Sequence, residues 1–419
     1  MKRTRIASID AGASKAVTVM ADMNSSGNLR ILGIGMAQSQ GIERDITNLR
    51  QAVAAISQSV KKAEKMAGYR LKSACVGISG TDTNSVTNRG TISIPYSDQQ
   101  VHAADRKRAL DVALNVEVPS EQKLLHVIPR SYTLDGQGNI KNPVGMHGLH
   151  LNVEAHIVTA TTTSVQSLTN CMKSLGIGVN RLVLKSLASA EAVLTEDEKR
   201  HGVMLADIGD AATNIAVFKD GSVYHTSTVP VGGHNVTHDI AVGLGLPREL
   251  AELVKKEHGD VMTSEVKGSI DDTVTESGHS ISRHDLREII TARIEELLRL
   301  IILQLPQVDY TKAIPSGLVI TGGSCNLSGI VELGRMTTQL PVRIGSPVHP
   351  VDGAEMLCDP TYATCVGLLY WEMKSGKPPY DCAEQERLGV LLPRWLGYLG
   401  NQGRRLKNRL RYKEDGTDN

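Results

Sequence analysis

The chain has 419 residues, enough for about two to four domains at roughly 150 residues per domain. Hydrophobic residues make up 41% and charged residues 22%, which excludes a largely disordered chain and a protein embedded in a membrane. The net charge of +1 argues against a chain built throughout for nucleic acid, and we expect no nucleic-acid partner.

Charge is nevertheless distributed unevenly. Residues 387–413 contain eight basic side chains and no acid, so the remainder carries 38 basic residues against 45 acidic ones. The rest of the chain therefore has a net charge of about −7, against about +8 for this segment.

The cysteines and the first residues predict a cytosolic protein. The six cysteines form no CxxC pair, so neither a zinc site nor a disulfide framework is indicated. Lys2, Arg3 and Arg5 resemble the basic start of a signal peptide, but Asp10 and Lys15 interrupt any apolar region. No stretch reaches the roughly 18 apolar residues of a membrane span.

The first predicted element is a β-hairpin over Ile6–Asp22, with a Gly-containing turn and Asp10 at its lip. It is followed by a helix at Leu49–Ala67, a strand at Ser73–Ser79, a turn-rich stretch at Gly80–Gly90 and a helix at Ala103–Asn115. The short strands between about residues 82 and 160 predict an inserted subdomain.

The hairpin pattern returns nearly 200 residues later. It is preceded by a strand at His156–Thr161, a helix at about Ser164–Leu175, a strand at Val179–Lys185 and a helix at Leu187–Leu194. Val203–Gly209 and Asn214–Phe218 then predict a second strand-turn-strand hairpin with Asp207 at its lip. This recurrence indicates an internal duplication in which Asp10 and Asp207 face each other.

The last third of the body is mainly helical. Helices are predicted at Val236–Leu244, Arg248–His258, Arg283–Leu305 and Ala363–Met373, with a polar, turn-rich stretch at Gly259–Ser282 and a strand ending in a Gly pair at Gly317–Gly323. Lys374–Glu384, which contains Pro378 and Pro379, has the composition of a linker.

The two hairpins are candidates for a phosphate site. Gly12 and Gly209 let backbone N–H groups approach phosphate oxygens closely, and the carboxylates of Asp10 and Asp207 can hold a hydrated Mg²⁺. For either hairpin alone, an ordinary turn is the favoured explanation. The pair is more specific, because a nucleotide clamped between two lobes requires two half-sites of one design.

The order of these patterns resembles that of the actin, Hsp70 and sugar kinase superfamily. Its two phosphate motifs and its adenosine motif match Asp10–Lys15, Asp207–Ile215 and Ile320–Ser324. Longer stretches are similar to one family within it, the bacterial actin-like FtsA cell-division proteins. These stretches are His126–Gly148, Leu187–Gly209 and Arg343–Pro347.

The resemblance implies an α/β, actin-like, two-lobed ATPase fold with duplicated ribonuclease-H-like subdomains, an FtsA-type 1C insertion and no subdomain 1B. In order, the expected parts are 1A (1–81), 1C (82–160), 1A again (161–200), 2A (201–242), 2B (243–315), 2A again (316–362), a helix returning to 1A (363–373), a linker (374–389) and an amphipathic helix (390–412).

The resemblance also implies that ATP binds between the lobes, with Mg²⁺ held through water by Asp10 and Asp207. The expected nucleotide-binding residues are Asp10, Gly12, Ala13, Ser14, Lys15, Asp207, Gly209, Asp210, Ala211, Ala212, Thr213, Glu252, Lys255, Gly322, Gly323 and Ser324. Ala13, Asp210, Ala211 and Asn214 depart from the family's usual residues. A Cβ at Ala211 costs about 1 kcal/mol or more if its φ must be positive.

Hydrolysis is expected to be slow or absent. Relatives orient the attacking water with a carboxamide or carboxylate just before the second hairpin. The corresponding place, Leu184–Leu187, offers neither group. No residue is therefore identified as catalytic. A small-molecule kinase on the same fold is the alternative, but no convincing catalytic Asp is found for it.

The family resemblance implies several partners. Members polymerise head to tail, bind the C-terminal tail of the tubulin homologue FtsZ on 2B, contact other division proteins through 1C and hold FtsZ at the inner face of the membrane. Arg287, Arg293 and Glu296 lie on the polar side of the long 2B helix and are the candidate FtsZ contacts.

The basic C-terminal segment has the pattern of a membrane-targeting helix. Basic residues surround an apolar stripe, a combination that favours binding to anionic lipids at the membrane surface. The predicted membrane residues are Trp395, Leu396, Leu399, Leu406, Leu410, Arg404, Arg405, Lys407 and Arg409. A disordered basic tail or an RNA-binding arm is the alternative. The tail also argues against a pilus-associated actin-like protein, because those relatives lack it.

Overall fold

The structure is a computed structural model. It describes residues 4–24, 29–80, 83–95, 98–116, 118–261, 273–305, 313–348 and 354–374. The chain divides into two units, 1–376 and 377–419, and every described residue belongs to the first.

The strands and helices of the described residues are as follows. The strands are β1 Thr4–Ala11, β2 Lys15–Met23, β3 Leu29–Gln38, β4 Ser73–Ile78, β5 Thr83–Ser93, β6 Gln122–Leu134, β7 Gln137–Ile140, β8 His150–Thr161, β9 Gly178–Leu184, β10 Val203–Ile208, β11 Thr213–Lys219, β12 Ser222–Val229, β13 Thr273–Glu276, β14 His279–Ser282, β15 Leu318–Thr321 and β16 Val342–Ile344. The α-helices are α1 Leu49–Ala67, α2 Ala103–Ala113, α3 Thr162–Ser174, α4 Lys185–Val193, α5 Glu196–His201, α6 Gly233–Gly243, α7 Arg248–His258, α8 Arg283–Ile302, α9 Ile330–Thr338 and α10 Ala363–Met373. Short 3₁₀ helices lie at Gly323–Asn326, Glu355–Cys358 and Pro360–Tyr362.

Two five-stranded sheets share one topology. Their orders are β3-β2-β1-β4-β9 and β12-β11-β10-β15-β16. In each sheet the first three strands pair antiparallel and the last two join in parallel. The duplication expected from the two hairpins is therefore confirmed, because β1-β2 and β10-β11 occupy equivalent places in the two sheets.

A pair of packed helices connects the two lobes. Helix α4 is buried at eight of its nine positions, and its face contacts β10 and β11, whereas α10 lies against β1 and β4. The helices approach so closely that a Cβ on Gly367 of α10 would lie 1.8 Å from the Ala188 carbonyl oxygen of α4. Side chains of this pair can therefore reach both hairpin turns.

Local sequence accounts for the helix ends. Asn48 caps α1 by accepting a hydrogen bond from the Gln51 amide, and Gly68 ends it with φ of +77°, a left-handed conformation that glycine adopts without a Cβ penalty. Along α8 the buried residues are the predicted stripe Leu286, Ile290, Ile294, Leu297, Leu298 and Ile301.

The inserted region is a four-stranded antiparallel sheet in the order β5-β8-β6-β7, with α2 packed on it. The prediction of a turn-rich stretch at Gly80–Gly90 was wrong, because most of it belongs to β5, which pairs with β8 along all eleven residues. Polar Thr, Asn and Ser side chains suggested turns there. Because β5 is an edge strand with many exposed positions, it accommodates these polar residues.

Candidate functional site

The two hairpin turns have the same backbone geometry. The Gly12 amide donates to the Lys15 carbonyl at 3.0 Å, and the Gly209 amide donates to the Ala212 carbonyl at 3.0 Å. A Cβ on either glycine would lie 2.9 Å from that carbonyl oxygen, closer than real Cβ atoms come. Both turns therefore depend on glycine in the same way.

Both turns open into one cleft of about 1330 Å³. Every residue predicted to bind nucleotide lines this cleft except Thr213: the lining residues are Asp10, Gly12, Ala13, Ser14, Lys15, Asp207, Gly209, Asp210, Ala211, Ala212, Glu252, Lys255, Gly322, Gly323 and Ser324. Thr213 is fully buried, and its hydroxyl donates to the Val231 carbonyl at 2.8 Å. The cleft is large enough for a nucleotide, since small-ligand pockets span roughly 300 to 1,000 Å³.

The backbone at Ala211 is not strained by a positive φ. Among the described residues, the non-glycine positions with positive φ are Gln99, Asp135, Asn139, Asp220, Ser277 and Gln339. Neither Asp210 nor Ala211 is in that set, so the second turn is built with ordinary backbone angles despite its two missing glycines. Ala211 still lines the cleft.

Gly322 lies where any side chain would be strained. Its φ is +90°, and a Cβ there would lie 2.5 Å from the Ile208 carbonyl oxygen and 2.6 Å from Asp207 Oδ1. The backbone after β15 thus packs directly on the end of β10 and on the carboxylate of the second hairpin. Its neighbour Gly323 is unconstrained, since the nearest atom to a Cβ there is Thr361 Oγ1 at 3.7 Å.

The acid of the first hairpin is paired with a lysine that the sequence did not single out. Lys185, the first residue of α4, places its Nζ 2.8 Å from Asp10 Oδ1 and donates to the Ala11 carbonyl at 3.0 Å. Lys185 also lines the cleft. It lies within the stretch expected to position the attacking water, and an ammonium group cannot act there as a base.

The acid of the second hairpin is held by two hydroxyls. Asp207 is buried, and its Oδ2 accepts hydrogen bonds from Ser189 Oγ at 2.6 Å and Thr364 Oγ1 at 2.9 Å. Burial raises the pKa of the Asp207 carboxyl, and the nearby charge of Asp10 raises it further. The two lip acids are therefore close enough to interact, but each already has partners within the chain.

These contacts fit poorly with a hydrated Mg²⁺ held by both lip acids, because three of their four carboxylate oxygens are already engaged. Mg²⁺ in nucleotide sites keeps several waters and uses one or two carboxylates. Asp10 Oδ1 faces the Lys185 ammonium, Asp207 Oδ2 is taken by hydroxyls, and Gly322 covers Asp207 Oδ1. Within the described part of the chain, no group of three or more His, Cys, Asp or Glu side chains is arranged to hold a metal ion.

A third set of contacts fixes the opposite wall of the cleft. Lys255 Nζ lies 2.6 Å from Glu252 Oε2 and donates to the Gly233 carbonyl and to Thr237 Oγ1. Burial opposes ionisation of Glu252, but hydrogen bonds from Lys255 and Thr237 hold its pKa below the usual value. The predicted pair Glu252 and Lys255 is thus part of one charged network. Thr237 lines the cleft as well and was not predicted.

The candidate FtsZ contacts on α8 have partners within the chain. Arg293 forms two bonds to Asp239 of α6 and a third to Glu296. Arg287 Nη2 lies 3.7 Å from Asp260 Oδ2. Arg293 therefore ties α6 to α8, and Glu296, whose side chain is 53% exposed, presents the most accessible charge of the three.

The predicted linker from residue 375 onwards and the predicted membrane residues, Trp395 to Leu410, lie outside the described residues. None of the described helices is both long enough and apolar enough to cross a lipid bilayer.

The paired sheets around a single cleft define the class: this is an actin-like ATPase fold. The PilM–PilN type IV pilus biogenesis complex resembles it with a TM-score of 0.59 at 16% identity, over 89% of this chain and all of that one. MreB5 of Spiroplasma citri bound to AMPPNP gives 0.53 at 14% identity, over 93% and 100% of the two chains. These likenesses confirm the predicted fold.

The sequence comparisons define the family. The model described as cell division protein FtsA matches residues 204–367, and the SHS2 domain inserted in FtsA matches residues 80–159. The FtsA protein of Pseudomonas aeruginosa is 35% identical over 374 residues, covering 88% of this chain and 89% of that one. The chain belongs to the FtsA family of cell division proteins, as the sequence motifs predicted.

Proposed function

We propose that the chain is an ATP-binding scaffold of the division machinery that polymerises and tethers FtsZ to the cytoplasmic face of the membrane at the division site. The observation that carries the nucleotide part is the pair of matched Gly turns that open into one cleft. Lys185 lies where a water-positioning group is expected. ATP therefore serves as a structural ligand that is hydrolysed slowly or not at all.

ATP binding is tested by calorimetric titration of the full chain. Ala13 lies in the first turn and lines the cleft, so Ala13→Glu places a negative charge against the phosphates and should weaken binding at least about tenfold. Ala54→Glu, which makes the same change on the exposed face of α1, is the matched control and should bind as the wild type does. Absence of saturable binding to the wild type at millimolar ATP would remove this part of the proposal.

FtsZ capture is assigned to the 2B region that contains α7, β13, β14 and α8. The acidic and basic groups of α8 support recognition of a charged peptide, with Arg287, Arg293 and Glu296 as candidates. Fluorescence anisotropy with an FtsZ C-terminal peptide tests it. Glu296→Arg should change peptide affinity, whereas Arg200→Glu on α5, also well exposed, should not. Equal affinities in all three proteins would contradict the assigned contact.

Membrane tethering rests on the sequence of residues 390–412. Co-sedimentation with phosphatidylglycerol-containing vesicles should be lost when Trp395→Glu and Leu399→Glu are combined, because both substitutions fall on the apolar stripe. Asn401→Glu with Gln402→Glu changes the charge equally and leaves that stripe intact. If the stripe variant pellets as well as this control does, the anchor is elsewhere.

Self-association and later partners complete the proposal. Nucleotide-dependent pelleting on lipid measures head-to-tail polymerisation. If the Ala13→Glu variant polymerises as well as the wild type does, polymerisation does not depend on nucleotide binding.

Val86 of β5 is 44% exposed on the inserted sheet. A photo-crosslinker at this position should capture other division proteins if 1C recruits them.

A further inference from the structure

Lys185 lies where two physical effects make a positive charge unfavourable. Its side chain is only 11% exposed, and taking a charge out of water costs free energy unless the charge is paired. It also opens α4, and the N-terminal end of a helix repels cations. A neutral side chain of similar length would fill the same space without either penalty.

The partners of Lys185 direct its ammonium towards the first hairpin. Nζ contacts Asp10 Oδ1 at 2.8 Å and the Ala11 carbonyl at 3.0 Å, next to the turn in which the Gly12 amide is fixed. The contact with Asp10 is an ion pair without the angle of a well-directed hydrogen bond. Because Lys185 lines the cleft, the ammonium retains donors for a ligand that enters there.

The second hairpin offers no competing cation site. Ser189 and Thr364 occupy one oxygen of Asp207, and Gly322 packs on the other. The Lys185 ammonium pairs with Asp10 and also acts on Asp207, whose pKa is raised by burial and by Asp10 and lowered by the charge of Lys185. A lysine ammonium binds phosphate oxygens as a compact point charge.

We propose that the Lys185 ammonium, held by Asp10, supplies the countercharge for the terminal phosphates of the nucleotide, so that binding does not require Mg²⁺. The inference rests on the proposed ATP site. It replaces the expectation that Asp10 and Asp207 hold a hydrated Mg²⁺, because the carboxylate that would face the metal is neutralised by a side chain of the protein.

The test is the affinity of the full chain for mant-ATP, measured by fluorescence in excess Mg²⁺ and in EDTA. In the wild type the two affinities should agree within about threefold. Lys185→Gln keeps a hydrogen-bond donor but removes the charge, so its affinity in EDTA should fall by roughly tenfold or more, the value of one charge-assisted hydrogen bond. Mg²⁺ should restore much of this loss, because Asp10 is then free to hold the hydrated ion.

Two further variants exclude a merely structural effect. Lys185→Arg keeps the charge and should stay insensitive to EDTA. Lys62→Gln removes one charge from a lysine that also lines the cleft but whose Nζ donates to the Met36 carbonyl, and it should not create a requirement for Mg²⁺. Urea unfolding without nucleotide establishes that each variant is folded.

The outcomes separate this inference from the proposed function. Tight wild-type binding in Mg²⁺ that is lost at least about tenfold in EDTA would retain the ATP site and overturn the role of Lys185. Equal binding of Lys185→Gln and wild type under both conditions would overturn it too. If no binding is found in either condition, the proposed ATP site is contradicted, and this inference fails with it.

Discussion

The Gly322-Gly323 pair allows a prediction in which two adjacent, chemically identical substitutions have different effects. Ala at position 322 must adopt φ near +90°, which costs about 1 to 2 kcal/mol for a residue with a Cβ. That Cβ would also lie 2.5 Å from the Ile208 carbonyl oxygen, and relieving such an overlap in a packed interior costs about 1 to 3 kcal/mol. The lower entropy of the unfolded Ala chain returns roughly 0.4 to 1 kcal/mol.

The balance for Gly322→Ala is a loss of about 1 to 5 kcal/mol in the free energy of unfolding, with a central value of about 3 kcal/mol. Gly323→Ala meets only Thr361 Oγ1 at 3.7 Å and has no positive φ, so it should lie within about 0.5 kcal/mol of the wild type. Urea unfolding of the nucleotide-free proteins, followed by far-UV circular dichroism, measures both through the midpoint at constant slope. If the two midpoints coincide, the close packing of Gly322 on β10 is refuted.

Three other changes test the packing and charges of the body. Burial lowers the pKa of His156 to about 3, so the native state stays neutral while the unfolded state takes up a proton. The free energy of unfolding should therefore fall as pH drops below about 6.5, and less steeply in His156→Gln. Gly367→Ala gains about 1 kcal/mol of helix propensity, but its Cβ would lie 1.8 Å from the Ala188 carbonyl oxygen, so the urea midpoint should fall. Asn214→Leu removes the acceptor for the Gly80 amide and should cost about 1 to 3 kcal/mol in the same assay.

Periodic and cap-defined elements could be predicted from the sequence almost to the residue. The bounds of α1, α7 and α10 agree with the structure, because amphipathic spacing and flanking turn residues are local signals. The strand β5 was missed for the opposite reason. Its polar side chains are compatible with turns, and only pairing with β8, some 65 residues later in the chain, makes it a strand.

The backbone of the candidate site was predictable, but its charge arrangement was not. Glycines and lip acids mark both turns in the sequence, and all but one of the predicted residues line the cleft. Lys185 follows an apolar strand and begins a helix. In the sequence it therefore looks like the last residue of that strand, and no local pattern marks it as a site residue. Its partner Asp10 is far away in sequence, and the pair forms only because β1, β4 and β9 are neighbours in one sheet.

One helix sets the electrostatics of both hairpins. Residues four apart lie on the same face of a helix, and on α4 this face carries Lys185 to Asp10 and Ser189 to Asp207. The turns themselves are alike in geometry, so the difference between a paired acid and a hydroxyl-bonded acid comes from α4. A substitution at its first residue can therefore change how the cleft balances phosphate charge without altering the duplicated sheets.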